Sequence, residues 1–430
     1  MAVLALACCA CLARAEESDP EKNWDARFQS TYIWQQKPSF RADYSGPNSL
    51  STQREKAYTF SSTAYLGWRP AAGLEVWFNP EVVQGVPFSG LHGFGGFPNG
   101  EQQKVSGPNP TFYRSRLFLR KTWTLGGEDL QLEAQANQFA LSTKQDRLVL
   151  TAGNLAVTDV FDPNSYAHDA RTQFMNWAFL THGAFDFAAD ARGYSWGAAL
   201  EYYRDDWAFR AGRFMQPAQS NGLRLDKRIW RYYGDQAEIE HAHRLAGRPG
   251  QTRLLVFRNH VRMGAFDGAI ASAGGAIPDL APVRREQSKR GLAVAFEQEV
   301  QEDVGVFGRA SWHDGRTETY AFTEIDRSVS AGVSIRGRSW SRAQDTVGMA
   351  VAVNGLSSAH QRYLAGGGLG AFLGDGALNY GRERIGEVYY SLQLARGAWL
   401  SLDYQRILHP GYNRDRGPVS VASARMHLKF

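Results

Sequence analysis

Apolar and polar residues alternate along most of this chain. In TFYRSRLFLRKTW, residues 111–123, Tyr113, Leu117 and Leu119 share one parity and Arg114, Arg116 and Arg120 the other. In LQLEAQANQ, Leu130, Leu132, Ala134 and Ala136 oppose Gln131, Glu133, Gln135 and Asn137. Val329, Ala331, Val333 and Ile335 alternate with Ser328, Ser330, Ser334 and Arg336. The chain ends the same way, with Ala424, Met426, Leu428 and Phe430 set against Ser423, Arg425, His427 and Lys429. A period of two sends successive side chains to opposite faces, so these runs predict strands with one polar face. No helical period and no repeat of fixed length emerges.

Short turn signals join several runs: Ala395-Arg396-Gly397, Arg204-Asp205-Asp206, and Gly126-Gly127 with Glu128-Asp129. Longer Gly- and Pro-rich stretches, GVPFSGLHGFGGFPNGEQQKVSGPNP and GAFDGAIASAGGAIPDLAP, lie elsewhere. Tight turns at one end and long loops at the other are the layout of an outer-membrane barrel.

A soluble sandwich would bury the apolar parity, whereas a membrane barrel turns it outward and lines a lumen with the polar one. Two patterns favour the barrel. The polar parity carries both signs of charge from strand to strand, as in Arg114, Arg116, Glu133, Arg309, Arg336 and Asp403. Aromatic residues gather near strand ends (Tyr202, Trp207, Trp230, Tyr232, Tyr233, Tyr389, Tyr390, Trp399), where interface girdles belong. A chain that stops on Phe430 in mid-strand needs that strand paired with the first, because an open edge is not tolerated in lipid. The prediction is an all-β fold: a transmembrane antiparallel barrel with long extracellular loops and an inward-folded constriction loop. At roughly 25 residues per strand with its connection, the residues after the leader give about 16 strands.

Composition adds the leader. Leu4 to Leu12 is a compact apolar run followed by Ala13-Arg14-Ala15 and then EESDPEKN, a secretory signal peptide with cleavage expected after Ala15. No Lys or Arg precedes the run, the one feature out of pattern. The expected organisation is residues 1–15 signal peptide, 16–23 a short N-terminal segment and 24–430 one barrel domain. Cys8, Cys9 and Cys11 all lie in the leader, so disulfides, thiolate metal sites and a cysteine nucleophile are not expected. Removing residues 1–15 takes one Arg and no acid, so the formal net charge of +5 becomes +4, too mild for a nucleic-acid partner.

The closing segment contains GDGALNYGRER, then YYSLQL, LDYQ and HPGYNRDRGPVSV before the terminal Phe. YSGPNSL at 44–50, FPNGE at 97–101, RLFLR and DVFDPNSYAHDARTQFMNWAF at 159–179 accompany it. In these motifs the chain resembles the carbohydrate-selective porins of the OprB type, over essentially its whole length after the leader. The resemblance implies passive diffusion of glucose and related mono- and disaccharides into the periplasm of a Gram-negative bacterium. It implies an integral outer-membrane location, contact with membrane lipid, a C-terminal strand ending on Phe430 that barrel-assembly machinery reads, and no cofactor. Porins of this size are commonly homotrimers, though no intersubunit patch is legible.

A sugar presents many hydroxyls and weakly apolar faces, so a selective pore needs planar polar groups and aromatic rings, each held weakly enough to release. The lining candidates are Arg114, Arg116, Arg120, Glu133, Gln135 and Asn137; the alternative is an Arg–Glu ladder that only braces the wall. A second set, Asp159, Asp162, Asn164, Asp169 and Arg171, lies in a polar stretch too irregular for a strand and fits a constriction loop. Asp and Asn are also turn formers, so a hydrogen-bonded turn structure is the other reading. These oxygens lack EF-hand spacing, and His241 and His243 have no third ligand, so no metal is expected. Nucleophile elbow, phosphate loop and dinucleotide fingerprint are lacking, and the chain is read as no enzyme. An exporter or channel for anionic cargo, uronic acid polysaccharide or small organic acids, is the alternative that inward Arg residues would suit.

Overall fold

The computed structural model describes residues 22–105 and 107–430. The signal peptide, its cysteines and most of the N-terminal segment lie outside the described residues. Strands β1 (Trp24–Lys37), β2 (Glu55–Ala71), β3 (Leu74–Val86), β4 (Gly107–Leu132), β5 (Leu141–Leu155), β6 (Ser195–Arg204), β7 (Trp207–Met215) and β8 (Tyr233–Leu245) are followed by a second eight. These are β9 (Arg248–Met263), β10 (Arg285–Gln301), β11 (Val304–His313), β12 (Arg327–Gly337), β13 (Arg342–Gly355), β14 (Glu383–Ala395), β15 (Ala398–Leu408) and β16 (Val419–Lys429). Each pairs antiparallel with its sequence neighbours, and β1 pairs with β16, closing a barrel of 16 strands.

Closure extends to the last residue. Phe430 N–H donates to the Phe28 carbonyl at 2.9 Å, the Phe28 N–H donates to the Phe430 carbonyl at 3.0 Å, and the two rings stack at 6.4 Å. None of these strands is left with an open edge. The outward parity forms an apolar band, with Leu66, Leu200, Leu254, Leu292, Met349, Val351 and Leu402 exposed.

Sequence and structure part at three places on the strands. Gly126 to Asp129 is not a turn: β4 runs through it with two register shifts, and the chain reverses at residues 133–140 instead. Glycine bends a strand without ending its pairing, and pairing resumes from Asp129↔Lys144 to Leu132↔Leu141. In β4 a further bulge falls opposite Asn79 and Pro80, which pair with Arg116 and Arg114 and leave Ser115 between them. Pro80 has no N–H to give the ladder, so parity breaks there. Of the aromatic residues assigned to girdles, Tyr389 and Trp399 share the parity of inward Ser391 and Ser401, and Tyr232 is buried against Val261 and Met263.

The end opposite the start of β1 and the end of β16 carries the long loops. The stretch expected as an irregular loop contains helix Phe266–Ala273, which packs against helix Ser358–Ala365. The loop between β5 and β6, residues 156–194, turns into the barrel and contains the helical turn Trp177–Leu180. Together with the wall it forms a core inside the barrel: Phe174 meets Phe179, Phe307 and Tyr389 at 5.0–5.6 Å, and Phe185 meets Phe257 at 5.1 Å.

Candidate functional site

A loop that enters a barrel brings backbone amides and carbonyls that need partners. Many of the short-range ones are supplied by its own polar residues. Asn164 Oδ1 accepts from the N–H of Tyr166 and Ala167, Gln173 Oε1 from His168 and Asp169, Asp169 from Arg171, and Asn176 caps the helical turn through Ala178. The wall supplies others. Glu238 accepts the Asp162 N–H at 2.8 Å, Glu297 the Ser165 N–H at 2.7 Å, and Glu387 the N–H groups of Met175 and Asn176 at 2.5 and 3.0 Å. Arg309 pairs with Asp162 at 2.9 Å and donates to the carbonyls of Phe179 and Ala167, while Arg425 donates to those of Ala170 and Gln173. Much of the inward polar parity therefore anchors the loop, and only part of it faces open space.

That space is a cavity of about 580 Å³ between the infolded loop and the wall of β16, β1, β2, β4 and β5. Toward the long-loop end it is lined by Trp177, Phe187 and Phe322, whose rings lie 4.6–6.3 Å apart. Deeper in, Arg116 forks onto Asp159 at 2.7 and 2.6 Å and lies over the Tyr194 ring. Asp159 also accepts the Ala156 N–H at 3.0 Å, so the pair fixes the point where the loop leaves β5. Burial would raise the Asp159 carboxyl, but Arg116 outweighs it and holds the acid below its ordinary value.

The opposite end is narrowed by the turn at residues 133–140. Gln135 and Gln138 exchange backbone hydrogen bonds, Asn137 takes a positive φ of 62°, and Phe139 packs on Trp77 at 5.0 Å. Arg27, Arg120 and Arg69 donate to the carbonyls of Ala134, Asn137 and Ala140. Gln135, Asn137 and Gln138 thus line the cavity from a turn, where alternation had placed Gln135 and Asn137 on a strand.

The candidates separate into three groups. Arg116, Arg120, Gln135, Asn137, Asp159, Asp169 and Arg171 all line the one cavity. Asp162 is buried against the wall at Glu238 and Arg309, Asn164 is buried in the loop's own hydrogen bonding, and Glu133 is exposed on the turn. Arg114 leaves the group altogether. It is exposed, follows outward Phe112, and stacks at 5.1 Å over Trp196, because the bulge at Ser115 reverses its direction relative to Arg116.

Arg171 is buried and double-paired, to Glu81 at 2.5 Å and Glu101 at 2.8 Å, with Lys104 3.1 Å from Glu101. Burial opposes ionisation of Glu101, but Arg171 and Lys104 prevail and bring its pKa down to about 2. Burial lowers His182 to about 4 and also lowers His168, so both are neutral at pH 7. The acids of the loop do not converge: Asp159 goes to Arg116 and Asp162 to Arg309, and among the described residues no three His, Asp or Glu side chains gather as metal ligands.

Sequence reasoning missed Trp177, Phe187, Phe322, Tyr194 and Glu101. The signal for Glu101 was present in FGGFPNGE, since a solvent loop has no use for two phenylalanines; Phe94 and Phe97 are buried inside the barrel. The motifs that carry the family resemblance build the cap over the long-loop end. Ser49 hydrogen-bonds Asp375, Asn48 donates to Gly370 and Leu373, and Asn413 reaches Tyr44 and Asp375. Glu383 collects the N–H groups of Gly95, Gly96 and Gly411.

A family model described as carbohydrate-selective porin, OprB family, matches residues 48–430. Among solved structures, the high-pH form of Pseudomonas putida OprB is similar with a TM-score of 0.70 at 15% identity, over 95% of this chain and 94% of that one. Its low-pH form gives 0.50 at 13% identity, over 95% and 93%. The outer membrane channel DcaP of Acinetobacter baumannii gives 0.50 at 9% identity, over 95% and 98%. At such identities the likeness speaks for the fold. No curated protein matches the sequence.

Proposed function

Since this chain belongs to the carbohydrate-selective porin family, sugar-selective barrels of the Gram-negative outer membrane, we propose that neutral mono- and disaccharides, glucose among them, cross it passively through the cavity under the infolded loop. The carrying observation is charge compensation. Arg116 is matched by Asp159, Arg171 by Glu81 and Glu101, Lys104 by Glu101, and Arg27 by Asp25. A neutral polyol meets hydrogen-bonding groups there without displacing a counterion, so each contact is weak and release stays fast. Trp177, Phe187 and Phe322 receive the apolar face of the sugar at the long-loop end, which is extracellular. Arg116, Asp159, Arg120, Gln135 and Asn137 meet its hydroxyls, with Asp169 beside them. Arg171, Asp162 and Asn164 hold the loop that shapes the opening.

Around this pore we place an N-terminal leader of residues 1–15, a short segment to residue 23, a barrel from residue 24, lipid against the apolar band, and a C-terminal strand ending at Phe430 that assembly machinery reads. A homotrimer is the assembly to test by cross-linking. The reading entails a channel without turnover, so chromogenic glycosides and esters stay intact.

The deciding experiment is single-channel conductance of the refolded protein in a planar bilayer, titrated with glucose and maltose. Saturable block by glucose that weakens several-fold in Trp177→Ala supports the reading, and an open channel that no sugar blocks refutes it.

A further inference from the structure

The barrel holds a second cavity, about 690 Å³, on the far side of the infolded loop and toward the end that carries the short turns, the start of β1 and the end of β16. It meets the first cavity at Arg171, Thr172, His427 and Lys429, which line both. Its charges differ in kind from those of the first. The wall acids are already claimed: Glu299 by Arg248 at 2.7 Å, and Glu302 and Asp303 by Arg338 at 3.0 Å each. Arg171 is neutralised by Glu81 and Glu101. Among the described residues, no carboxylate lies within ion-pair distance of Arg336 or Lys429, and since Glu302 and Asp303 share the one Arg338, these two cations leave the cavity with one positive charge in excess.

Two aromatic surfaces share that cavity. Trp399 points inward from β15, its ring 6.0 Å from that of His427. Tyr166 stands on the loop over Gly305, where an added Cβ would sit 2.0 Å from the phenol ring. A ring face takes the C–H side of a sugar, and a guanidinium takes a carboxylate as a planar fork. Neutral cargo uses only the first of these.

From this arrangement we propose that the second cavity is a periplasm-facing subsite for sugar acids, hexuronates or hexonates, with Trp399 under the pyranose or polyol and Arg336 and Lys429 on the carboxylate. It deepens the sugar-porin reading and rests on it: most cations of the upper cavity are paired, so sugars pass it with weak contacts, and the lower cavity retains the acids. An acid that lingers at the exit loads from the periplasmic side more readily than from outside.

The test is sided current block of the full barrel in a planar bilayer, comparing glucuronate with glucose. Wild-type protein is expected to bind glucuronate added on the short-turn side more tightly than glucose. Arg336→Gln, at a residue that lines only the second cavity, should weaken that block by about fivefold to tenfold and leave glucose block from the long-loop side unchanged. Arg336→Lys keeps the charge and should retain part of the effect, which separates a lost cation from a disturbed fold. Glucuronate block that is equal from both sides, or indifferent to Arg336→Gln, overturns the subsite. Absence of glucose block in the wild type overturns the sugar-porin reading instead, so the two failures are distinct.

Discussion

Replacing Arg171 by Gln tests whether the infolded loop's charged residues brace the pore or touch the cargo. Arg171 donates to Glu101 at 2.8 Å, to Thr63 at 3.2 Å and to Glu81 at 2.5 Å, all of them buried. The substitution would leave Glu81 with only the Tyr194 hydroxyl at 3.2 Å and Glu101 with Lys104. Removing one member of a buried ion pair costs about 3–5 kcal/mol, because the partner charge stays desolvated. The carboxyl of Glu101 gives a second measure: held at about 2 against an ordinary 4.5, its ionised form is favoured by ~3 kcal/mol, shared between Arg171 and Lys104. The sign follows from the depressed value. This contribution is present above pH 4.5 and is lost as pH falls toward 2. Urea unfolding in lipid vesicles at pH 7 should therefore show the single variant weaker by ~3–5 kcal/mol, and neutralising Glu81 as well (Glu81→Gln) should recover most of it, since Glu101 keeps Lys104. Sugar block follows the same course if Arg171 only braces. A double variant that regains stability but not sugar block would make Arg171 a cargo contact, and a single variant as stable as wild type would refute the reasoning altogether.

Glu387→Ala orphans the buried N–H groups of Met175 and Asn176, at ~1–3 kcal/mol each, and should appear as added open-channel noise and unsteady conductance; traces as quiet as the wild type's would show that the loop does not depend on this clamp. Arg114→Ala should leave conductance, ion selectivity and sugar block unaltered, since Arg114 stacks outside on Trp196, whereas Arg116→Ala frees Asp159 and should raise conductance and cation preference in the same recordings. His360 sits between Asp326 at 3.2 Å and Glu324 at 3.6 Å; burial opposes its charge, but the two acids raise its pKa to about 9. That stabilisation is complete below pH 6.5 and is lost as pH rises through about 9, ~3 kcal/mol in all, so the midpoint of thermal unfolding should fall from pH 7 to 10 and His360→Gln should flatten the fall.

The strand period was legible wherever pairing is regular, and it failed at Pro80 and Ser115 for a local reason. Alternation assigns every residue a face from its neighbours, so one residue outside the ladder reverses all assignments beyond it. Arg114 and Arg116 are two residues apart and should share a face; the bulge puts one on the outer wall and one in the pore. The proline in FNPEVV was the available warning, but it lies on β3 while its effect falls on β4, and a pattern read along one strand does not see its partner. The turn at residues 133–140 escaped for a related reason: Gln135 and Asn137 keep the alternation of a strand while belonging to a reversal that folds into the mouth of the barrel.

The polar parity was harder to interpret, because two physical demands call for the same residues. A wetted wall wants charges of both signs to hold water and cargo, and a wall that holds a swallowed loop wants carboxylates for its N–H groups and guanidinium groups for its carbonyls. Glu238, Glu297, Glu387, Arg309 and Arg425 satisfy the second demand, while Arg116 and Arg120 reach open space; nothing in their own strands distinguishes the two sets. What separates them is the loop, whose Asp, Asn and Gln residues could be read either as turn formers or as a constriction. The structure uses them as turn formers in a loop that folds into the barrel, and the necessity runs in one direction. A segment with Phe161, Phe174, Phe179 and Phe185 buried among wall aromatics has enough apolar surface to leave water. It can do so only if its backbone is satisfied inside. The inward acids of β8, β10 and β14 are therefore required by the apolar residues of the loop, and the polar side chains that still line the cavity, such as Arg116 and Arg120, are those whose bonds to the loop and turn leave them at its edge.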